Sequence, residues 1–190
     1  YFFSDIEDVQ QNSTNADGPG LEFPVKNSGD AEIQGLEFEL SWLPLDGLTL
    51  FASGALMDGE YTRLNEDSDA FKSTFSFGVQ PQTPQTPDYA INIGFDYTYD
   101  FQQQYLGALS FGLDYYEIDD YITSASNEFH NSGWDMLNGY ISLGIGDNWT
   151  LKLTGKNLSD EDNITSGSRG LGGFIIMAPV EYLFTVTYQM

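Results

Sequence analysis

The chain contains no cysteine and only six lysine and arginine residues, against 29 aspartate and glutamate residues, which gives a formal net charge of -23. The absence of cysteine excludes a disulfide framework, thiol catalysis and cysteine-ligated zinc or iron–sulfur centres. The shortage of cations argues against nucleic acid as a partner, because phosphate binding needs clustered positive charge. The acidic side chains are typical of a solvated surface, and they could also bind divalent cations that bridge to anionic lipid head groups.

The sequence also lacks a run of about 18 apolar residues, which excludes a transmembrane helix. It has no initiator methionine, no basic leader and no signal peptide, so we expect a trimmed mature chain or a piece of a longer one. Aromatic residues at 15% and 20 glycines favour a β-rich fold.

The clearest pattern in the chain is the stretch Tyr89–Phe101, YAINIGFDYTYDF, in which large apolar and small or polar residues alternate without a break. Successive side chains of a strand point to opposite faces, so the pattern predicts a strand with one apolar and one polar face. A membrane-spanning strand needs about 9–11 residues, whereas strands of soluble domains usually have about 5–6. The length of the alternation therefore suits a membrane barrel as well as a soluble sandwich.

Similar patterns predict eight antiparallel strands in all. They are Tyr1–Val9, Asp30–Trp42, Leu48–Thr62, Tyr89–Phe101, Tyr105–Ile122, Leu137–Ile145, Trp149–Ile164 and Val180–Met190.

The connections between these strands alternate between short and long. Short turns are expected at 44–47, 101–105 and 146–148, and long loops at 11–28, 63–88, 123–135 and 165–173, with a short hairpin within 71–79. A soluble sandwich gives no reason for every long loop to lie at one end. An outer-membrane barrel explains this arrangement, because its periplasmic turns are short and its extracellular loops are long. The C-terminus is then expected on the periplasmic side.

Four segments resemble the C-terminal barrel of TonB-dependent outer-membrane receptors, in the family's order. They cover residues 29–62, 86–101, 139–161 and 179–190, and the most specific pieces are IQGLE followed by DGLTL, and GKNLSDE near the end. The resemblance implies an all-β, antiparallel transmembrane barrel, with residues 1–190 forming about eight strands, the last eight of 22. One departure is Met190, where the family usually ends in phenylalanine.

The resemblance also implies a function. Such receptors capture and import a scarce ligand, such as a metal–siderophore complex, a cobalamin or a glycan. The inner-membrane TonB complex supplies the work through a plug domain that has no counterpart in this chain. The expected partners are therefore outer-membrane lipid, the TonB complex and the ligand; no cofactor and no enzymatic step are expected.

In a barrel of this kind the alternation assigns each side chain either to the lumen or to the lipid. Candidates for facing the lumen are the polar residues Glu37, Glu39, Asp96, Asp114, Lys152 and Lys156. Candidates for facing lipid are Leu36, Phe38, Leu40, Trp42, Ile91, Ile93, Phe95, Tyr97, Tyr99, Phe111, Leu113, Ile141, Leu143, Trp149, Leu151, Leu153, Phe184, Val186 and Tyr188.

No combination of residues indicates catalysis. The single histidine, His130, has no partner motif and is interpreted as a solvated loop residue. Three acidic groups could ligate a hard cation, but none has the spacing of a calcium loop, so solvated loop charge is favoured. These groups are Glu66–Asp67–Asp69, Glu117–Asp119–Asp120 and Asp160–Glu161–Asp162. The glycine-rich GSRGLGG does not join a strand to a helix, which argues against a phosphate loop.

Two alternatives remain open from the sequence. One is a self-contained eight-stranded outer-membrane barrel with a structural or adhesive role, whose interior is filled by side chains. The other is a soluble, acidic β-sandwich that binds carbohydrate and covers its apolar face with a second sheet.

Overall fold

A computed structural model of the chain describes residues 1–12, 24–68, 71–72, 83–123, 130–168 and 173–190. The strands are, in chain order, β1 (Phe2–Ile6), β2 (Gln10–Asn12), β3 (Val25–Asn27), β4 (Gly29–Leu45), β5 (Leu48–Leu64), β6 (Tyr89–Asp100), β7 (Leu106–Ile118), β8 (Tyr121–Ile122), β9 (His130–Asn131), β10 (Trp134–Ile145), β11 (Trp149–Lys156), β12 (Ile164–Ser168), β13 (Gly173–Ile176) and β14 (Glu181–Tyr188).

Eight of these strands form one antiparallel sheet in the order β1-β4-β5-β6-β7-β10-β11-β14. Each strand pairs with the next one of the sheet along the chain, as in the wall of an up-and-down barrel. The sheet is open, with β1 and β14 at its two edges. The sequence-based prediction of eight antiparallel strands is confirmed, but these strands do not close on themselves into a small barrel.

The short connections all lie at one end of the sheet and the long ones at the other. At the short end, the amide of Thr98 donates to the carbonyl of Gly47 (2.8 Å), and the amide of Gly146 donates to the carbonyl of Tyr105 (3.1 Å). Gly47 has a φ of 79°, and a Cβ there would lie 2.1 Å from the carbonyl oxygen of Thr98. Only glycine fits this turn, which explains the choice of residue in the PLDG sequence.

The described parts of the long connections contain three small hairpins, which pair β2 with β3, β8 with β9 and β12 with β13. Two predicted strands are therefore too long at the end where a long connection begins. The strand predicted as Tyr105–Ile122 ends at Ile118 because Asp119 accepts a hydrogen bond from the amide of its neighbour and turns the chain. The strand predicted as Trp149–Ile164 ends at Lys156, because Asn157 follows with a φ of 49°.

Other boundaries shift by a few residues. β1 ends at Ile6, before Asp8 with its φ of 57°. β10 begins at Trp134 rather than Leu137, and the Trp134 ring packs on Tyr116 with 4.9 Å between centroids. The hairpin expected within 71–79 lies mostly outside the described residues.

The sheet is a single layer with almost no core. Ala31 and Ile122 are the only buried hydrophobic residues in the described part of the chain, whereas many large apolar side chains are exposed. A soluble sandwich would bury one face of each sheet against the other. The described strands include no second sheet that covers the first, so the sandwich interpretation is not supported. Among the described residues, there is no helix with the length and apolar character required to cross a membrane.

Candidate functional site

One face of the eight-stranded sheet is a continuous apolar surface, which we call the apolar face. Directly paired residues of neighbouring strands share a face, and the register gives rows such as Leu40, Ala52, Ile93 and Tyr115. All nineteen lipid-facing candidates of the sequence lie on this face. The register adds residues outside that candidate set, among them Leu50, Leu56, Leu109, Leu137 and Tyr182.

The apolar face has a defined height. On β6 it runs from Tyr89 to Tyr99, which is about 33 Å along the strand at roughly 3.3 Å per residue. A strand tilt of about 40°, common in outer-membrane barrels, reduces this to about 25 Å, the usual height of their apolar band. We call the end of the sheet with the long connections the outer end. There the apolar face is replaced by polar pairs, such as Gln34 with Asp58 and Glu117 with Asp135.

Aromatic residues lie at both borders of the apolar face. At the short-turn end, the rings of Trp149 and Tyr188 are 4.7 Å apart. At the outer end, the Tyr89 hydroxyl donates to a Glu117 carboxylate oxygen (2.8 Å), and the Tyr115 hydroxyl donates to the other (3.3 Å). Aromatic residues at both borders of an apolar band are typical of the two membrane–water borders of such a barrel.

The opposite face of the sheet, which we call the polar face, carries all six lumen-facing candidates. Glu37 and Glu39 lie on β4, Asp96 on β6, Asp114 on β7, and Lys152 and Lys156 on β11. The structure therefore places them on one surface, although the acidic residues of β4 and the lysines of β11 are five strands apart in the sheet.

A depression of about 560 Å³ lies on the polar face near β4 to β7. Its lining includes Glu37, Glu39, Ser53, Asn92 and Tyr116. The small side chains of Ser53, Ala55 and Ala90 form its floor. The polar face therefore has room for water or another group at this position.

A second polar cluster links three strands on the same face. The Tyr140 hydroxyl donates to Asp96 Oδ1 (2.7 Å), and Lys152 Nζ lies 4.5 Å from the centroid of the Tyr140 ring. The ring crosses Gly112, where a Cβ would lie 2.5 Å from Asp96 Oδ1 and 2.9 Å from Tyr140 Cε1. Gly112 therefore lets tyrosine lie flat on the wall and reach a carboxylate two strands away.

At the outer end, β4 and β5 extend beyond the apolar face and are joined by an ion pair. Arg63 donates from Nε and Nη2 to the two carboxylate oxygens of Asp30 at 2.7 and 2.9 Å, and Asp8 lies 3.8 Å from Arg63. The hydrogen bond from Arg63 holds the pKa of Asp30 below its usual value, and Asp30 in turn raises the pKa of Arg63. Burial raises the pKa of Tyr61, whose hydroxyl accepts from Gln11 (2.6 Å).

The outer connections also contact one another. The Asn131 side chain donates to the carbonyl of Thr165 (3.3 Å), and the amide of Gln85 donates to the carbonyl of Ile122 (2.8 Å). His130 Nε2 lies 2.8 Å from Asp120 Oδ2, with about half of each side chain exposed. The sequence missed this partner of His130, because the two residues meet only through the pairing of β8 with β9.

Metal ligation by the acidic groups finds no support in the structure. In the part of the chain that the structure describes, no group of three or more histidine, aspartate or glutamate side chains is arranged to hold a metal ion. Asp69, of the first acidic group, lies outside the described residues, as does most of the glycine-rich GSRGLGG.

The sequence also missed three asparagine and tyrosine residues that organise the polar face: Tyr140, Asn138 and Asn157. The signal for Asn157 was present, because the asparagine of GKNLSDE follows a strand directly, where asparagine favours a turn. No sequence signal indicates that Tyr140 reaches Asp96 across an intervening strand.

An open, single-layer antiparallel sheet with an apolar band about 25 Å high defines the wall of a large β-barrel. The sequence profile described as TonB dependent receptor-like, beta-barrel matches residues 1–158. The chain belongs to the TonB-dependent receptor family.

Solved structures show the same fold. The chain is similar to the ferric yersiniabactin uptake receptor FyuA from Yersinia pestis (TM-score 0.70, 16% identity, 99% of this chain and 26% of that one). It is also similar to the siderophore receptor PiuA from Acinetobacter baumannii (TM-score 0.72, 16% identity, 98% of this chain and 25% of that one). A third similar structure is the copper transporter OprC (TM-score 0.67, 17% identity, 98% of this chain and 27% of that one). The chain thus spans about a quarter of the length of these proteins. No curated protein matches its sequence.

Proposed function

We propose that the chain forms part of the barrel wall of an outer-membrane receptor that imports a scarce ligand by TonB-dependent transport. The observation that carries the proposal is the apolar face, which lies on one side of a single-layer sheet and has the height of a bilayer core. Membership of the TonB-dependent receptor family supports the same function.

The apolar face contacts the lipid of the outer membrane in this proposal. On β6 and β7 it contains no charged residue between Tyr89 and Tyr99 or between Leu109 and Tyr115. Its exposed side chains include Leu40, Ile93 and Phe184. A water-exposed apolar surface of this extent would cause aggregation, whereas lipid covers it without cost.

The polar face lines the barrel interior. The eight-stranded sheet is open rather than closed, and a barrel of 22 strands leaves a lumen that a plug fills. We propose that these are the last eight strands, with the long connections extracellular and the short turns and C-terminus periplasmic. Asn148 and Gln189 support this arrangement, because they exchange hydrogen bonds and hold the C-terminal residues at the short-turn end.

The similar proteins support a proposal for the class of ligand. The names of those solved structures include a ferric yersiniabactin uptake receptor, a siderophore receptor and a copper transporter. We propose that the ligand is a metal–siderophore complex, with a cobalamin or a glycan as the other candidates. The wall and the outer connections bind the ligand without changing it chemically, and the TonB complex acts on the plug.

Uptake by cells tests this function. A strain that lacks the receptor gene should lose growth on one of three sole sources, namely ferric siderophores for iron, cyanocobalamin or oligosaccharides. The intact gene should restore growth only when the TonB complex is present. The receptor in a detergent extract of the outer membrane should have an intact mass several-fold above the 21.2 kDa of this chain. Restored growth without the TonB complex would refute active transport, and a mass of 21.2 kDa would refute the large barrel.

A further inference from the structure

Asn157 closes the base of the last outer connection, residues 157–180. It is only 4% exposed, and its side chain makes three hydrogen bonds. Nδ2 donates to the carbonyls of Glu161 (3.0 Å) and Ala178 (3.1 Å), and Oδ1 accepts from the amide of Glu161 (3.2 Å). One amide group therefore holds both ends of the connection together.

The backbone of Asn157 is joined in turn to the polar face of the wall. Its amide donates to Asn138 Oδ1 (3.2 Å) on β10, and Asn138 Nδ2 donates to Asp114 Oδ2 (2.9 Å) on β7. Both polar atoms of the Asn138 side-chain amide form hydrogen bonds, because the oxygen accepts from Asn157 and the nitrogen donates to Asp114. A rotation of that amide group would break both hydrogen bonds together.

Further contacts make the base of the connection one unit. The amide of Val180 donates to Asp160 Oδ1 (3.0 Å), and the amide of Met177 donates to the carbonyl of Asn163 (2.8 Å). The amide of Leu158 donates to the carbonyl of Leu137 (2.7 Å) on the neighbouring strand. A change in the position of Asn157 is therefore transmitted to both sides of the connection.

We propose that Asp114, Asn138 and Asn157 form a positioning relay that ties the base of the outer connection, residues 157–165 and 175–180, to the polar face of the wall. Asp114 presents its carboxylate on the polar face, and a group that engages it there competes with Asn138. Loss of that hydrogen bond frees the Asn138 amide, which then no longer holds Asn157. The relay gives the GKNLSDE motif a physical role. The consequence of the relay for ligand capture rests on the proposed function. The effect of the relay on the hydrogen bonds of the connection does not.

Hydrogen exchange of the full-length receptor, in lipid and without ligand, tests the relay. The measured peptides cover residues 158–165 and 175–181. Asn157→Gly keeps the backbone amide and tolerates the positive φ, and it should raise exchange at Glu161 roughly tenfold because the acceptor of its amide is lost. Asp114→Ala touches no residue of the connection, and Asn138→Ala removes only the acceptor of the Asn157 amide, yet both should raise exchange in the same peptides.

Two variants serve as matched controls. Asp114→Asn keeps an oxygen that accepts from Asn138, so exchange should stay at the wild-type rate. Asp96→Ala removes another carboxylate of the polar face that bonds to Tyr140 and lies outside the relay, so it should also leave these peptides unchanged. An unchanged rate in Asp114→Ala, or an equal rise in Asp96→Ala, would overturn the relay.

Growth on the ligand source identified by the uptake experiment is measured separately. If exchange responds as expected and no source supports growth, the relay stands and the proposed transport function fails. If growth depends on the receptor and exchange does not respond, the function stands and the relay fails.

Discussion

Two adjacent residues of β5 test the assignment of the two faces directly. Ala52 lies on the apolar face opposite Leu40 and Ile93, and Ser53 lies on the polar face opposite Glu39 and Asn92. Both are small and lie at nearly the same depth, close to the middle of the apolar band. Replacing each with lysine adds the same side chain and the same charge to opposite surfaces of one strand.

The expected costs differ because the surroundings differ. A lysine at the bilayer midplane of a transmembrane barrel costs about 2–4 kcal/mol, which lowers the ratio of folded to unfolded receptor by roughly 30- to 1,000-fold. At position 53 the ammonium group meets water and the nearby carboxylate, so Ser53→Lys should change stability by about 0.5 kcal/mol or less, the usual effect of a surface substitution.

The assay is reversible unfolding in denaturant of the full-length receptor in lipid vesicles, with heat-dependent migration in gels as a check of assembly. Equal costs for the two variants would refute the assignment of lipid and lumen. A larger cost for Ser53→Lys would reverse it.

Two further predictions concern the ends of the wall. Because the hydrogen bond from Arg63 lowers the pKa of Asp30 in the folded state, the stabilisation by this pair should be present above about pH 4, the usual range of an aspartate, and should be lost as the pH falls through the lower folded-state value. The difference in unfolding midpoint between wild type and Asp30→Asn should therefore shrink on acidification, and a constant difference from pH 7 to pH 2 would contradict this. At the short turns, Gly47→Ala should destabilise the receptor by about 1–3 kcal/mol because its Cβ meets the Thr98 carbonyl, whereas Gly146→Ala has nothing within 4 Å and should cost only about 1 kcal/mol for its φ of 58°. Thermal unfolding measures the stability of both glycine variants. Similar losses of stability would show that backbone strain alone, without the contact with the Thr98 carbonyl, sets the cost.

The sequence predicts the strands, and which of their residues share a face, because both depend on a local rule. Alternation with a period of two places Ile91, Ile93 and Phe95 together whatever the strand pairs with, and turn residues such as Gly47 mark the ends. The outer ends of the strands were wrong where side chains compete with the ladder, as at Asp119 and Asn157. These residues hydrogen-bond to nearby backbone and stop a strand in spite of an alternation that continues.

The polar contacts of the site could not be predicted in the same way, because they depend on register across several strands. Asp96 and Tyr140 are 44 residues apart, and they meet only because Gly112 on the strand between them leaves room for the ring. Asp114 and Asn138 likewise come from two neighbouring strands, and Asn157 directly follows a third. A shift of one residue in the pairing would move Asn138 to the apolar face and break the relay at both of its hydrogen bonds. In the proposed barrel the apolar band therefore protects the relay, because moving these polar side chains out of register would also place them in lipid. The surface proposed to contact the membrane would then fix the geometry of the proposed interior.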